Sequence, residues 1–339
     1  MFKIFTSLFL VFISTSAISA KDNSQSTTFK ETVYEIDATL KAQHYNPKEL
    51  QGSAYQKVLS EMKVLAGTAT SQKEFIDGFR IIWSDGPFSH VQLSKAGQSA
   101  EALSTYFDTL RIGGGGAVLT WKQDTAVLTI NTMMGLDTIE EIDAAYKTIA
   151  SKGANALIID LRNNEGGAFA IRPMVSHLIA EPFDAGSFVA QRWNIKHQKA
   201  PTKAELQAIK PWAGWSVKKF WADVQTEEAI RVQFKPSGDT FNGPVYILTS
   251  SRTASAAELA TDALKSIGRA TIVGEKTKGE MLSQKPYDIQ GNLHLFVPIA
   301  DYYSIQNGRI EGIGVSVDVA VPSDQAMAKV LKMIKELDK

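Results

Sequence analysis

Short, continuously apolar runs that alternate with helical patterns constrain the fold of this chain more than any other feature. The runs are "TAVLTIN", "ALIIDL" and "VYILTS", and the helical patterns that follow them cover about residues 137–152, 168–180 and 255–267. Runs of this length without polar alternation are typical of strands buried on both faces of a parallel sheet. From residue 113 to residue 339 the sequence therefore predicts an α/β core.

The chain before Gly113 has a different pattern. Apolar residues recur three and four positions apart in "ETVYEIDATLKAQHY", "SAYQKVLSEMKVLAG" and "SQKEFIDGFRIIWSD", which is typical of amphipathic helices. We predict a small N-terminal helical domain over residues 31–112, followed by the core over residues 113–339. Residues 183–243 are rich in Trp, Lys and Pro and have weak periodicity, so we predict an insertion there that covers one face of the core.

The N-terminus has the three parts of a secretory signal peptide. Lys3 precedes the apolar run "IFTSLFLVFIS", and the small residues "TSAISA" follow it. We predict a signal peptide over residues 1–20, a disordered linker over residues 21–30, and export to the periplasm or the medium of a bacterium. No other run approaches the roughly 20 apolar residues of a membrane span, so no stable membrane insertion is expected after cleavage.

Composition excludes several kinds of chemistry and partner. The chain has no cysteine, which removes disulfides, thiolate metal sites and cysteine nucleophiles. Lys and Arg together number 36, as do Asp and Glu, and this balance gives no electrostatic reason to expect nucleic acid as a partner. The run "GGGGA" precedes a strand instead of following one, so it does not match a dinucleotide-binding turn. No cofactor and no metal are predicted.

The segment "TSSRTASAAELATDALKSIG" joins an apolar strand to a helix through a cluster of hydroxyl residues. Ser255 stands near the predicted start of the helix, where serine commonly caps the backbone amides. A serine at this position is also suited to nucleophilic attack, since the amide of Ala256 would point at a developing oxyanion. Both interpretations are open from this segment alone.

A nucleophilic serine needs a general base, and His90 is the histidine whose surroundings favour that role. It lies in "WSDGPFSHVQLS", at the border of the N-terminal domain, and a cleft between domains is a common place for a pocket. A turn histidine without catalytic function fits the same segment. In "IIDLRNNEGGAF" the strand ends at Gly166 and Gly167, which either form a tight turn only or allow a backbone amide to approach a substrate oxygen.

Three motifs occur in order along the chain: "ALIIDLRNNEGG", "TSSRTASAAELATDALKSIGRATIVGEKTKG" and "GRIEGIGVSVDVAV". Together they resemble the core of the C-terminal processing and tricorn-type serine peptidases, family S41, over roughly residues 113–322. The resemblance implies a spiral ββα core related to the crotonase and Clp peptidase folds, a peptide or protein substrate, and Ser255 as nucleophile. The chain before Gly113 leaves no room for the PDZ domain of many processing peptidases.

The family has two types of base, and this sequence resembles the histidine type. Processing peptidases have a lysine 25 residues after the serine, where this chain has Glu280. Ser89 and His90 match the Ser-His pair of the tricorn-like members, and Glu311 in "EGIGVSVD" matches their glutamate. The roles that the resemblance implies are general base for His90, relay for Ser89, orienting carboxylate for Glu311, and oxyanion-hole amides for Gly167 and Ala256.

Two alternatives stay open at this point. In a Ser-Lys peptidase, Lys278 or Lys276 would replace His90 as base, although they follow Ser255 by 23 and 21 residues and the family spacing would have to shift. The chain would instead be a non-catalytic binding protein if it were like the retinoid-binding relatives of this family. The joint presence of Ser255, His90 and Glu311 favours the peptidase. The sequence predicts no particular oligomeric state.

Overall fold

The structure is a computed structural model that describes residues 29–238 and 240–337. The predicted signal peptide and residues 21–28 of the predicted linker lie outside the described residues. The first helix begins at Phe29, so the last two residues that the sequence assigned to the linker are helical. Among the helices in these two ranges, none is long and apolar enough to cross a membrane.

The described residues form helices and strands that alternate along most of the chain. The helices are α1 Phe29–Gln43, α2 Ser53–Thr68, α3 Gln72–Trp83, α4 Ala100–Thr109, α5 Leu136–Lys152, α6 Ile171–Ser176, α7 Gln191–His197, α8 Lys203–Ala208, α9 Val217–Thr226, α10 Ala256–Ser266 and α11 Ala326–Leu337. The strands are β1 Gln92–Lys95, β2 Ala117–Lys122, β3 Thr125–Ile130, β4 Ala156–Asp160, β5 Phe183–Ala190, β6 Ala229–Phe234, β7 Val245–Thr249, β8 Thr271–Gly274, β9 Leu282–Ile289, β10 Leu293–Ser304, β11 Gly308–Arg309 and β12 Val319–Ala320.

A mostly parallel sheet contains the apolar runs of the sequence. Its strand order is β12-β8-β7-β4-β3-β2, with only the β2–β3 pair antiparallel. Alternate side chains of each central strand face opposite layers: Ile159 and Ile247 pack toward α5 and α10, whereas Ile158 and Leu248 pack toward α11. Burial on both faces explains why these strands lack polar alternation, and it confirms the predicted α/β fold.

The helices predicted after the three apolar runs are α5, α6 and α10. Of these, α6 is much shorter than the predicted range of 168–180. The amides of Ala168 and Ala170 donate to the carbonyl of Met133, so this stretch is tied to the loop after β3 and cannot join the helix.

An antiparallel sheet surrounds the long strand β10. Strand β9 pairs along one edge of β10, while β1 and then β5 pair along the other. Strand β6 extends the sheet beyond β5, and β11 pairs with the end of β10. Ser89 and His90 precede its strand β1, and Glu311 follows its strand β11.

The N-terminal helices share a hydrophobic core with the antiparallel sheet. Ile36 of α1 and Phe79 of α3 belong to the same buried cluster as Leu295 and Val297 of β10. The sequence predicted helices only in this region, but residues 92–95 form β1 and pair with β10. A strand of four residues is too short to show a periodic pattern, so it could not be predicted from sequence.

The segment 183–243 is more regular than its sequence indicates. It contributes β5 and β6 to the antiparallel sheet and carries the helices α7, α8 and α9 between them. Strand β5 includes Asp184, Gly186 and Ser187, which are uncommon in strands, and two of the helices are only six or seven residues long. These features explain the weak periodicity.

Candidate active site

Ser255 lies at the turn between β7 and α10 in a conformation that L-residues rarely adopt. Its backbone has φ 54° and ψ −123°, and its amide donates to Oε2 of Glu258 at 2.9 Å. A residue other than glycine at positive φ is strained and persists only where the surrounding structure holds it. A sharp strand-to-helix turn of this kind presents a nucleophile at the edge of a sheet.

The loop after β4 packs directly against this turn. Since β4 and β7 are parallel neighbours, their carboxyl ends meet at one edge of the sheet. The carbonyl of Asn164 accepts from Ala254 at 3.1 Å, and its side-chain oxygen accepts from the amide of Gly166 at 2.8 Å. A Cβ atom on Gly166 would lie only 2.6 Å from Cβ of Ser255. The close approach therefore requires glycine at this position.

Two backbone amides near Ser255 have no acceptor among the described residues. Gly167 has φ 142°, and the residues on either side of it make the hydrogen bonds of this loop: Met133 donates to Gly166, and Ala168 donates to Met133. The amides of Gly167 and Ala256 make no hydrogen bond with another described residue. The second is at the start of α10, where the helix dipole adds partial positive charge.

Replacing Gly166 by alanine is expected to lower kcat about 100-fold, because Ser255 or the loop must move by a substantial part of an ångström and small misplacements are costly in catalysis. Gly153 at the end of α5 is a matched control: it also has positive φ, and a Cβ there would meet nothing within 4 Å. Gly153→Ala should lower stability modestly and leave kcat unchanged. Steady-state kinetics with both variants test this, and full activity in Gly166→Ala would contradict the close packing described above.

The Ser89–His90 pair precedes β1 and so is placed by the antiparallel sheet. Oγ of Ser89 lies 2.6 Å from Nδ1 of His90, and His90 has φ 64°. Histidine is among the residues that tolerate positive φ better than most. Two residues later Gln92 pairs with Phe296 of β10, which fixes the chain direction beyond the imidazole.

Three charged side chains act on the imidazole of His90. Burial lowers its pKa, the negative charges of Glu311 and Glu280 oppose that shift, and the positive charge of Lys278 adds to it. The net direction is downward, so the imidazole is neutral near pH 7. A neutral imidazole is the form that accepts a proton.

Glu311 is buried, and backbone amides hold its carboxylate. Oε2 accepts from Met281 at 2.5 Å and from Leu282 at 3.2 Å. Among the described residues, no hydrogen bond joins it to Ser89, although the family resemblance implies that link. Its connection to the pair is therefore electrostatic: its charge raises the pKa of His90.

Lys278 forms an ion pair instead of facing the serine as a free amine. Its Nζ lies 2.8 Å from Oε2 of Glu280, and both side chains are partly buried. Lys276, the other lysine considered from the sequence, is exposed. The ion pair therefore occupies the amine of Lys278, whereas a general base must be free to reach the proton that it accepts.

Glu258 is a component of the site that the sequence analysis missed. Its side chain is fully buried on the first turn of α10, and burial raises its pKa against the effect of its hydrogen bonds. Each oxygen accepts two donors: Oε1 from Thr277 at 2.6 Å and Gly279 at 2.7 Å, Oε2 from Ser255 at 2.9 Å and Glu280 at 3.0 Å. The carboxylate thus ties the turn of Ser255 to the loop that carries Lys278 and Glu280. A glutamate three residues after a helix-capping serine is a sequence signal for the contact between Glu258 and the turn of Ser255. It does not indicate the contact with the loop that carries Lys278 and Glu280.

Comparisons with known proteins identify the family of the chain. The family model for peptidase family S41 matches residues 124–321, which is more than half of the chain. The chain therefore belongs to peptidase family S41.

Individual relatives are more distant. The carboxyl-terminal-processing protease of Synechocystis sp. is 26% identical over 182 residues, which cover 54% of this chain and 34% of that protein. This chain spans about a third of the length of the curated relatives that it matches.

Solved structures show the same fold at low identity. The photosystem II D1 C-terminal processing protease has a TM-score of 0.54 at 16% identity, covering 88% of this chain and 94% of that one. The tricorn protease has a TM-score of 0.56 at 11% identity, covering 92% of this chain and 37% of that one. At these identities the likeness establishes the fold and not the substrate.

Proposed function

We propose that this chain is an exported serine peptidase that hydrolyses peptide bonds in peptides, or in unfolded or C-terminal segments of proteins. Ser255 is the nucleophile and His90 the general base. The observation that carries the proposal is the strained turn of Ser255 beside two backbone amides that have no acceptor among the described residues. Membership of family S41 supports the reaction class, and the N-terminal sequence supports export.

In the first half of the reaction, Oγ of Ser255 attacks the substrate carbonyl carbon while its proton passes to Nε2 of His90. The carbonyl π-bond breaks, and the negative charge that develops on oxygen accepts hydrogen bonds from the amides of Gly167 and Ala256. The tetrahedral intermediate then collapses, the C–N bond breaks, and the imidazolium returns the proton to the leaving amine. An acyl ester on Ser255 is left.

In the second half, water attacks the ester carbonyl and gives a proton to Nε2 of His90. The second tetrahedral intermediate expels Oγ of Ser255, which takes the proton back, and the acid product leaves. The bond between Ser89 and Nδ1 of His90 supports this sequence, since an Nδ1–H that donates to Oγ leaves Nε2 free to accept. The charge of Glu311 stabilises the imidazolium that forms in each half.

A lysine base and a non-catalytic binder are the alternatives. The Lys278–Glu280 ion pair argues against Lys278 as the base. A strained turn at Ser255 beside two amides without acceptors lowers the stability of the fold. A binding protein that does not catalyse the reaction would gain nothing from this strain.

A serine-reactive fluorophosphonate is expected to label the wild-type protein at Ser255 and to leave Ser255→Ala unlabelled. Ser250, which is buried and bonded to the carbonyl of Arg162, is a matched control, and Ser250→Ala should keep the label. Mass spectrometry of the labelled peptide identifies the site. An unlabelled wild-type protein with intact circular dichroism would favour the non-catalytic binder.

A further inference from the structure

Three aromatic rings lie beside the loop that carries Gly167. Phe169 follows Gly167 by two residues, and its ring centroid is 6.0 Å from those of both Trp212 and Trp215. The two indoles are 5.9 Å apart, so the three rings form one contiguous cluster. All three residues are half-buried. We refer to these three residues as the aromatic cluster.

The aromatic cluster is held in place before any ligand arrives. Nε1 of Trp212 donates to Asp223 at 2.7 Å, and the ring of Trp215 lies 5.6 Å from that of Phe234 in the core. Trp215 has φ 43°, a costly conformation for a bulky residue that these contacts must maintain. A rigid aromatic surface loses little conformational entropy when it binds an apolar side chain.

A cation stands at the border of the aromatic cluster. The guanidinium of Arg172 lies 5.9 Å from the ring centroid of Trp215, and the amide of Arg172 donates to the carbonyl of Phe169. Its side chain is exposed, and no carboxylate of the described residues lies within ion-pair distance of it. An arginine on an aromatic face retains its donors for a planar anion such as a carboxylate.

We propose that Phe169, Trp212, Trp215 and Arg172 form a substrate subsite for an aromatic or large apolar side chain that has a carboxylate next to it. This inference rests on the proposed function, because it takes Gly167 as an amide that binds the reacting carbonyl. A peptide advances about 3.3 Å per residue when extended, so residues next to the scissile bond reach the loop positions that follow Gly167. The carboxylate comes from the C-terminus of the substrate or from an Asp or Glu side chain.

Binding to the full-length Ser255→Ala protein tests the subsite without requiring turnover. The probes are four short peptides that differ only at their C-terminal end. The first ends in Phe with a free carboxylate, and the second is the C-terminal amide of the first. The third is this amide with Asp before Phe, and the fourth is the free acid with Ala in place of Phe. Calorimetry should give the Phe free acid a Kd about tenfold below that of the Ala peptide. If the subsite binds the α-carboxylate, the amide without Asp should bind about tenfold more weakly than the Phe free acid. If it binds a side-chain carboxylate, the amide with Asp should bind best of the four peptides.

Arg172→Gln in the same background should remove the advantage of the carboxylate and keep the advantage of Phe. Trp215→Ala should remove the advantage of Phe. Arg192→Gln is the matched control, since Arg192 is exposed on α7 outside the aromatic cluster, and it should change neither. Equal affinity for all four peptides, or unchanged discrimination in Arg172→Gln, overturns the subsite. Failure of fluorophosphonate to label the wild-type protein would overturn the proposed function instead, so the two failures are separate.

Discussion

Replacement of His90 by alanine or asparagine is expected to lower kcat/KM about 10⁴-fold, because either change removes the group that takes the proton of Ser255. Asparagine is the better variant, since it tolerates the positive φ that His90 adopts. His197 on α7 provides the control: it bonds to Glu228 and stacks on Trp193, away from the candidate site, so His197→Ala should keep full activity. Steady-state kinetics on a peptide substrate, with thermal melts to confirm folding, measure the effect.

The same experiment separates the two kinds of base. Lys278→Ala removes a charge that lowers the pKa of His90 and frees Glu280, so activity should change no more than a few-fold. Equal damage from Lys278→Ala and His90→Asn would favour a lysine base and remove the histidine from the mechanism.

Glu258→Gln is expected to lower kcat about 100-fold and to destabilise the protein by about 3 kcal/mol. Each carboxylate oxygen accepts two donors, so the NH₂ group of glutamine faces two of them in either orientation. Buried donors without acceptors are costly. When the NH₂ group takes the position of Oε2, the turn of Ser255 also loses the contact that fixes its amide. The loss should appear in kcat more than in KM, because Glu258 positions Ser255 and does not contact substrate.

Thr277 supplies a graded control for Glu258. Its hydroxyl donates to Glu258 and accepts from the amide of Val315, so Thr277→Ser preserves both hydrogen bonds while Thr277→Val removes them. Kinetics and urea unfolding should place Thr277→Ser near wild type and Thr277→Val between wild type and Glu258→Gln. A stable Glu258→Gln protein with normal kcat would show that the carboxylate does not position the serine.

The parallel sheet could be predicted from sequence because strands that are buried on both faces consist of uninterrupted apolar runs, such as Ile158–Ile159 and Ile247–Leu248. Strands β1 and β5 of the antiparallel sheet could not. Strand β5 contains glycine, serine and aspartate, and strand β1 has four residues, so neither has a local pattern that distinguishes it from a loop. Their pairing with β10 depends on contacts between distant segments.

The residues of the candidate site also divide into those that a local sequence pattern indicates and those that it does not. Ser255, Gly166 and Gly167 could be named as candidates because turn chemistry is local: a strand ends, small residues follow and a helix begins. The resemblance to family S41 then favoured the catalytic interpretation of these residues. Glu258 was missed because its importance comes from Thr277 and the amides of Gly279 and Glu280, which only the fold brings to it. The expected hydrogen bond from Ser89 to Glu311 is absent among the described residues; Oε2 of Glu311 instead accepts from the amides of Met281 and Leu282 at the start of β9, which only the fold brings to it.

The pH dependence of fluorophosphonate labelling at Ser255 tests the central claim most directly, because it reports the ionisation of the base in the free enzyme. The base must be neutral to act, so labelling should fall as pH decreases through the pKa of His90. Burial lowers that pKa, and the midpoint should therefore lie below the ordinary histidine value of 6.5, with a constant rate from there to about pH 9. A rate that is low at neutral pH and rises between about pH 9 and 10, as a lysine loses its proton, would contradict the account.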